Sequence, residues 1–137
     1  MNYLKIFAAI ILLIPIATAA ETNDNTITCK LGNHTFKSTE YATFELPLAE
    51  LEKDAYMYIS SKSKKYTITR YAIGVISKGS NELKGEFIKS GNDIQKALKS
   101  EYINVAPGDR IFITELQATC DGCTIPVAIK PMAILVK

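Results

Sequence analysis

The C-terminal third of the chain constrains its fold more than any other segment. The turn residues Pro107-Gly108-Asp109-Arg110 lead into an alternating run at 111–118, and a second apolar run at 125–129 follows Asp121-Gly122. An Asp-Gly pair between two such runs is typical of a tight hairpin with a type I′ turn, which needs positive φ at both central residues. The sequence therefore predicts a β-hairpin here, and no catalytic motif lies along it.

The first 20 residues have the composition of an export leader. Lys5 supplies a positive charge, residues 6–16 are apolar, and Ala17-Thr18-Ala19 offers the small residues that a signal peptidase recognises. The apolar segment is too short to span a membrane, which takes roughly 20 residues. We therefore predict a signal peptide at 1–20 and a single domain at 21–137 that is periplasmic or secreted.

Charge and composition argue against several functional classes. The chain has 16 basic and 14 acidic residues, and this near-balance argues against a nucleic-acid partner, which would favour a basic excess. The one histidine, His34, lies beside a predicted turn, and no nucleophile motif accompanies it. We therefore predict a non-enzymatic protein with no catalytic residue, no cofactor, no metal site and no transmembrane segment after the leader.

The three cysteines, Cys29, Cys120 and Cys123, are the candidates for a disulfide. Cys120 and Cys123 flank the Asp-Gly turn, whereas a bridge from Cys29 to either of them would close a longer loop and stabilise the fold more. The sequence leaves both pairings open. The Cys-x-x-Cys spacing also raises a thiol–disulfide function as an alternative, although a redox pair usually draws its reactivity from a helix N-terminus, and no helix is predicted after it.

Alternating apolar residues predict about seven short strands and one helix. A hairpin is predicted at 27–38. The central strand at 66–77 changes parity at Thr69-Arg70, which predicts a β-bulge, and a change at Pro131 predicts a kink or a crossing between sheets. The helix is predicted to run from an Asn92 cap to Tyr102, with Tyr102 on its packed face. The pattern favours an all-β sandwich with one short crossover helix.

The strand that begins at residue 110 is the predicted contact surface for a partner. Its parity places Glu115 and Gln117 on one face with Ile111 and Ile113, and Leu116 on the other, so its second half is predicted to be half-exposed. The candidate partner-binding residues are Arg110, Glu115, Gln117, Asp121 and Gly122. Any uncovered edge strand is a further candidate, because it can accept a partner strand.

A set of strands and turns within residues 55–137 resembles a known domain. Its members are Tyr66, Ile68, Tyr71, Ile73 and Val75, then Ser90-Gly91-Asn92, Pro107-Gly108-Asp109-Arg110-Ile111-Phe112, Ala118, Asp121-Gly122 and Pro126. Together they resemble the C-terminal domain of the gliding-motility protein GldM, a periplasmic component of the type IX secretion motor of Bacteroidetes. The resemblance implies an immunoglobulin-like β-sandwich that binds protein partners at the bacterial envelope, in secretion or gliding motility. The cysteines beside Asp121-Gly122 depart from the family pattern.

A glycan-binding module is a further alternative. It would use exposed aromatic rings, although tyrosines in strands are more often half-buried. The candidate tyrosines are Tyr56, Tyr58, Tyr66, Tyr71 and Tyr102. The basic residues Lys62, Lys64 and Lys65 lie in a predicted loop, for which the sequence allows either simple solvation or contact with polysaccharide or anionic lipid.

Overall fold

A computed structural model describes residues 26–137, so the predicted leader lies outside the described residues. The elements in chain order are β1 (Thr28–Leu31), β2 (His34–Lys37), β3 (Ala42–Leu46), α1 (Leu48–Lys53), β4 (Met57–Ser60), β5 (Lys65–Ile76), β6 (Leu83–Lys89), α2 (Ile94–Ser100), β7 (Arg110–Thr119), β8 (Val127–Ile129) and β9 (Met132–Val136). The predicted β-rich fold and the hairpin at 27–38 are therefore confirmed. Strand β6 was missed, because its residues are mostly exposed and Gly85 interrupts it with a φ of 63°.

The nine strands of the described chain form one sheet. Its order is β2-β1-β4-β5-β7-β9-β3, with β6 added to β5 and β8 added to β7, and only β3 and β9 run parallel. The two ends of the sheet meet through side chains: the rings of His34 and Phe44 stack with centroids 4.5 Å apart, and Phe36 packs on Phe44 at 5.8 Å. The sheet is therefore barrel-like, and the predicted division into the two layers of a sandwich is not confirmed.

The sheet bends where irregularities in neighbouring strands lie side by side, and we call this bend the crease. It is formed by Thr69-Arg70 in β5, Thr114-Glu115 in β7, and Lys130-Pro131 between β8 and β9. The register of β5 on β7 shifts on both sides of Arg70, which confirms the predicted bulge. Strands β8 and β9 both pair with β7, so their interruption at Lys130-Pro131 lies opposite Thr114-Glu115, and the predicted break is confirmed. Bulges bend a strand while keeping its apolar residues on one side, and here they keep the core inside the bent sheet.

The bulge in β7 overturns the predicted faces of that strand. Glu115 has a φ of 51°, in the left-handed region that few residues other than glycine adopt. The parity of the strand changes at this residue, so that Ile111, Ile113, Leu116 and Ala118 all point into the core. The predicted grouping of Glu115 and Gln117 with Ile111 and Ile113 is therefore wrong.

Helix α2 is shorter than predicted. Its N-cap is Asp93, whose side chain accepts a hydrogen bond from the backbone N–H of Lys96 (3.0 Å), and not Asn92. The helix ends at Ser100, because Tyr102 adopts a φ of 56° and projects into solvent with 95% of its surface exposed. The predicted place of Tyr102 on the packed face is therefore wrong.

The hairpin of the tail forms with a different turn. The backbone N–H of Cys123 donates to the carbonyl oxygen of Cys120 (3.0 Å), and Gly122 has a φ of 81°, but Asp121 does not share the positive φ that a type I′ turn needs. Pairing of β7 with β8 begins at Ala118 and Val127, so residues 120–126 form a longer loop than predicted.

Candidate functional site

The predicted partner-binding residues do not form one site. Arg110 is the first residue of β7, whereas Asp121 and Gly122 lie beyond its other end, and a strand of ten residues is about 30 Å long. Strand β7 also pairs with β5 on one side and with β8 and β9 on the other, so it has no free edge to accept a partner strand. Glu115 and Gln117 lie close together at the crease, and Asp121 and Gly122 are neighbours in the loop after β7, but the two pairs and Arg110 are separate from one another.

The Glu115 side chain and the Gln117 backbone are engaged within the protein. The guanidinium of Arg70 donates to the Glu115 carboxylate (Nη2 to Oε2, 3.2 Å), and the Thr69 hydroxyl donates to the carbonyl oxygen of Gln117 (3.2 Å). Both side chains of the ion pair are about half exposed, and pairs of this kind contribute at most about 1 kcal/mol. These contacts join the two bulges of the crease.

Asp109 is a structural residue of the turn before β7. Its carboxylate is buried and accepts two backbone hydrogen bonds, from the N–H of Lys78 to Oδ1 and from the N–H of Ala106 to Oδ2, each 2.9 Å. It therefore connects the turn at 106–109 to the segment after β5. Its neighbour Arg110 is exposed and free of this network.

The cysteines pair locally. Cys120 and Cys123 form a disulfide with their Cα atoms 5.1 Å apart. Cys29 is a free thiol that points into the core from β1, and burial raises its pKa to about 12. The alternative bridges from Cys29 to either tail cysteine are therefore wrong. The next described element after Cys123 is the strand β8, so the pair lacks the helix N-terminus that lowers a thiol pKa in redox proteins.

Removing this disulfide is expected to have a moderate effect. The Cys120→Ser/Cys123→Ser variant should unfold with about 2 kcal/mol less free energy, because the closed loop is very short. Urea unfolding measures this difference, with Cys29→Ala as the control that keeps the bridge. Thiol titration of unreduced protein should detect no reactive thiol in the native state and a single one, Cys29, in denaturant. Three reactive thiols in denaturant would contradict the bridge.

An apolar surface lies on the outside of the sheet. Adjacent strands place Leu83, Ile76, Arg110 and Leu135 in one row, and Phe112 and Ala133 in the next. We call the apolar members of this region the apolar face: Ile76, Leu83, Ile88, Phe112, Ala133 and Leu135. Leu83 and Ile88 are 47% and 54% exposed, and the other four are half-buried. An antiparallel sheet that is packed on one side usually presents polar residues on the other, so this surface is unusual.

Gly74 allows the apolar face to form. A Cβ at this position would lie 2.7 Å from a methyl group of Leu83 and 2.8 Å from the carbonyl oxygen of Gly85. The absence of a side chain therefore lets Leu83 lie flat over β5, and it explains why a glycine stands in the middle of this strand.

The opposite end of the sheet carries a different outer surface. The rows of outward residues are Lys37, Thr28, Ser60 and Lys65, and beside them Thr35, Lys30 and Tyr58. Together with Thr67 these residues form what we call the lysine face: Thr28, Lys30, Thr35, Lys37, Tyr58, Ser60, Lys65 and Thr67. The exposed loop residues Lys62 and Lys64 border it.

The sequence contains the signal for this surface, although the overall charge hides it. Residues 28–37 and 57–65 hold five of the 16 basic residues and none of the 14 acidic ones. Without a strand assignment these cations do not form a stripe, and only the pairing of four strands brings them onto one surface.

A groove runs along the lysine face where β4 and β5 separate. Pairing between these strands stops at Ile59 and Tyr66, and β6 begins to pair with β5 only at Tyr71. The groove has a volume of about 430 Å³. Polar side chains and rings line it together with largely buried apolar residues: Tyr58, Ser60, Lys65, Tyr66, Thr67, Asn92, and Met57, Ile59 and Ile68. A second cleft of about 600 Å³ lies between the end of β6 and α2, beside Ile88 and Lys96.

The chain matches no protein-family model, and no curated protein resembles it significantly. The resemblance to GldM therefore stays a prediction from the residues that carry it. Within residues 26–137, no helix is long and apolar enough to cross a membrane, and no group of three or more His, Cys, Asp or Glu side chains is placed to hold a metal ion.

Proposed function

We propose that the protein is an exported, non-enzymatic binding module that engages a protein partner at the bacterial envelope through its apolar face. The observation that carries this proposal is the continuous outer surface of Ile76, Leu83, Ile88, Phe112 and Leu135. Contiguous apolar surface on a folded domain marks interaction sites, since isolated exposed apolar residues are scattered on most proteins.

The surroundings of the apolar face match the anatomy of a protein interface. Its centre carries an aromatic ring, Phe112, while Arg110, Thr43 and Glu45 lie at its border in the same cross-strand rows. Interfaces between proteins combine such an apolar centre with a polar rim, and arginine and aromatic residues carry much of their binding energy. Of the partner-binding residues predicted from the sequence, Arg110 is the one that forms part of this proposed interface.

The location and the partner class follow from the sequence. The leader at 1–20 favours export, and the resemblance of residues 55–137 to the GldM C-terminal domain favours a partner in secretion or gliding motility. An immunoglobulin-like relationship to that domain is part of the same proposal, supported by the resemblance. A thiol–disulfide role for Cys120 and Cys123 stays an untested alternative.

A photo-crosslinking amino acid at Ile88 or Leu83 is expected to capture an envelope protein in the native cells, whereas the same group at Thr35, on the lysine face, captures none. Phe112→Ala and Arg110→Ala should then each weaken binding of the captured protein by about 2 kcal/mol, because Phe112 lies at the centre of the apolar face and Arg110 lies at its border. Tyr102→Ala is the matched control, since Tyr102 is highly exposed and lies outside this face.

Titration calorimetry with the purified partner measures these affinities. Equal affinity of Phe112→Ala and the unchanged protein would contradict the proposal, as would crosslinking from Thr35 alone. Thermal unfolding of each variant separates loss of binding from loss of the fold.

A further inference from the structure

The positive charge of the lysine face is not neutralised within the described part of the chain. The ion pairs there join Arg70 to Glu115, Lys89 to Glu101, and Lys137 to Glu45. The lysines on and beside the lysine face take part in none of them: Lys30, Lys37, Lys62, Lys64 and Lys65. The lysines of the face lie opposite uncharged residues on four neighbouring strands, so their ammonium groups are spread over one surface and a single anionic ligand can contact several of them.

Aromatic rings accompany these charges. Tyr56 and Tyr58 project outward from the start of β4, with ring centroids 6.5 Å apart and planes inclined by 34°, and Tyr58 is 54% exposed. Lys30 lies directly across from Tyr58 on β1. The cation–π contact found among the described residues is elsewhere, between Lys130 and Tyr41, so the ring of Tyr58 is open to a ligand.

Hydroxyl and amide groups complete the surface. The groove next to Tyr58 presents the hydroxyls of Ser60 and Thr67, the amide of Asn92 and the ammonium of Lys65. Flat aromatic surface beside several uncharged hydrogen-bonding groups and a few cations suits a ligand that is itself rich in hydroxyls and carries negative charge.

We propose that the lysine face binds an acidic saccharide, with a sugar ring on Tyr58, its hydroxyls bonded in the groove, and its acidic groups near Lys30 and Lys65. This site is separate from the apolar face and from the proposed protein partner. The ring stacks through its apolar C–H surface on the aromatic face, while the lysines attract the carboxylate or sulfate groups along the chain.

Other occupants fit this surface less well. Protein interfaces are depleted in lysine and have an apolar centre, and the lysine face carries no exposed aliphatic side chain. A membrane surface would attract the lysines, but it would leave the hydroxyl-lined groove unused. A nucleic acid fits the charges and the ring, but the near-balanced charge of the whole chain gives it no long basic track.

Titration calorimetry of the purified protein tests the proposal with four probes: an acidic oligosaccharide (oligogalacturonate), a neutral one of equal length, a single-stranded oligonucleotide of equal charge, and anionic lipid vesicles. We expect the acidic oligosaccharide to bind best, with an affinity that falls as salt is raised. Tyr58→Ala should weaken this binding about tenfold, and Tyr58→Phe, which keeps the ring, should weaken it much less.

A charge-matched pair of variants separates a site from general attraction. Lys30→Gln/Lys65→Gln should lower the affinity about tenfold, whereas Lys84→Gln/Lys99→Gln, which removes the same charge from β6 and α2, should leave it unchanged. The proposal is overturned if the oligonucleotide or the vesicles bind as tightly as the acidic oligosaccharide, if Tyr58→Ala binds normally, or if no oligosaccharide binds. All four side chains are exposed in the double variants, and thermal unfolding confirms that each variant is folded.

Discussion

Replacing Asp109 by alanine is expected to lower the free energy of unfolding by about 3 kcal/mol. The buried carboxylate accepts hydrogen bonds from the backbone N–H groups of Lys78 and Ala106, and alanine removes the partner of both donors. The same residue connects to β9 through its own carbonyl oxygen, which accepts from the N–H of Val136 (2.9 Å). Alanine keeps this backbone bond, but loss of the carboxylate should loosen the turn that leads into β7, next to Arg110 at the border of the apolar face.

Urea unfolding at neutral pH measures this effect, and two further variants interpret it. Asp109→Asn keeps one acceptor oxygen and should lose about half as much stability. Asp121→Ala removes the same charge from an exposed turn and should change stability by less than about 0.5 kcal/mol. If Asp109→Ala were as stable as Asp121→Ala, Asp109 would not hold the turn.

The sequence predicted the parts of the fold that depend on local pattern. The bulge at Thr69-Arg70 and the break at Pro131 were visible because apolar residues change parity there, and both were confirmed. The partner bulge at Glu115 was not visible, since a glutamate gives no sign that it will adopt a positive φ. That single conformation moved Leu116 and the residues after it to the face opposite the one predicted.

The closure of the sheet depends on contacts between residues far apart along it. The stacking of His34 on Phe44 joins the two ends of the sheet. No local sequence pattern around either residue predicts this contact. Strand β6 was not predicted, because the sequence pattern of a strand also depends on which of its faces is covered. Its apolar residues Leu83 and Ile88 cover an outer surface, so they do not alternate with polar residues in the way that core strands do.

The candidate sites were predicted only in part. Arg110 lies on a surface suited to a partner. The Glu115 side chain and the Gln117 backbone are engaged at the crease, and Asp121 and Gly122 lie beyond the far end of β7. Sequence reasoning placed the site on one strand and its hairpin tip. Both surfaces that we propose extend instead across four or more strands, and such surfaces become visible only when the register is known.

The crease explains how one sheet carries two different surfaces. On one side of it the second half of β5 pairs with β6 and β7 and presents aliphatic residues outward. On the other side the first half of β5 pairs with β4 and presents Lys65 and Thr67. The bent strand β5 therefore contributes to both surfaces, and the ion pair between Arg70 and Glu115 marks the boundary between them.

Stability is expected to fall steeply as the pH rises from 9 to 12, by about 5 kcal/mol or more. Burial raises the pKa of Cys29 from 9.0 to about 12, and burial together with the charge of Asp93 raises that of Tyr71 from 10.0 to about 12. Both groups stay neutral in the native state at pH values where the unfolded chain has lost these protons. The unfolded state then binds fewer protons, so the stabilisation is complete below about pH 9 and is lost as the pH approaches 12.

Urea unfolding at pH 7, 9, 10 and 11 measures this slope, and two substitutions assign it to its residues. Cys29→Ala should remove the decline in the free energy of unfolding that begins near pH 9. Tyr71→Phe should remove the part of the decline that begins near pH 10. Tyr71→Phe should leave the stability at pH 7 unchanged or slightly raised, because the Tyr71 hydroxyl is buried and has no hydrogen-bond partner among residues 26–137. If the double variant lost stability with pH as steeply as the unchanged protein, neither buried group would be the cause. The alkaline response of this fold would then have to come from groups on its surface.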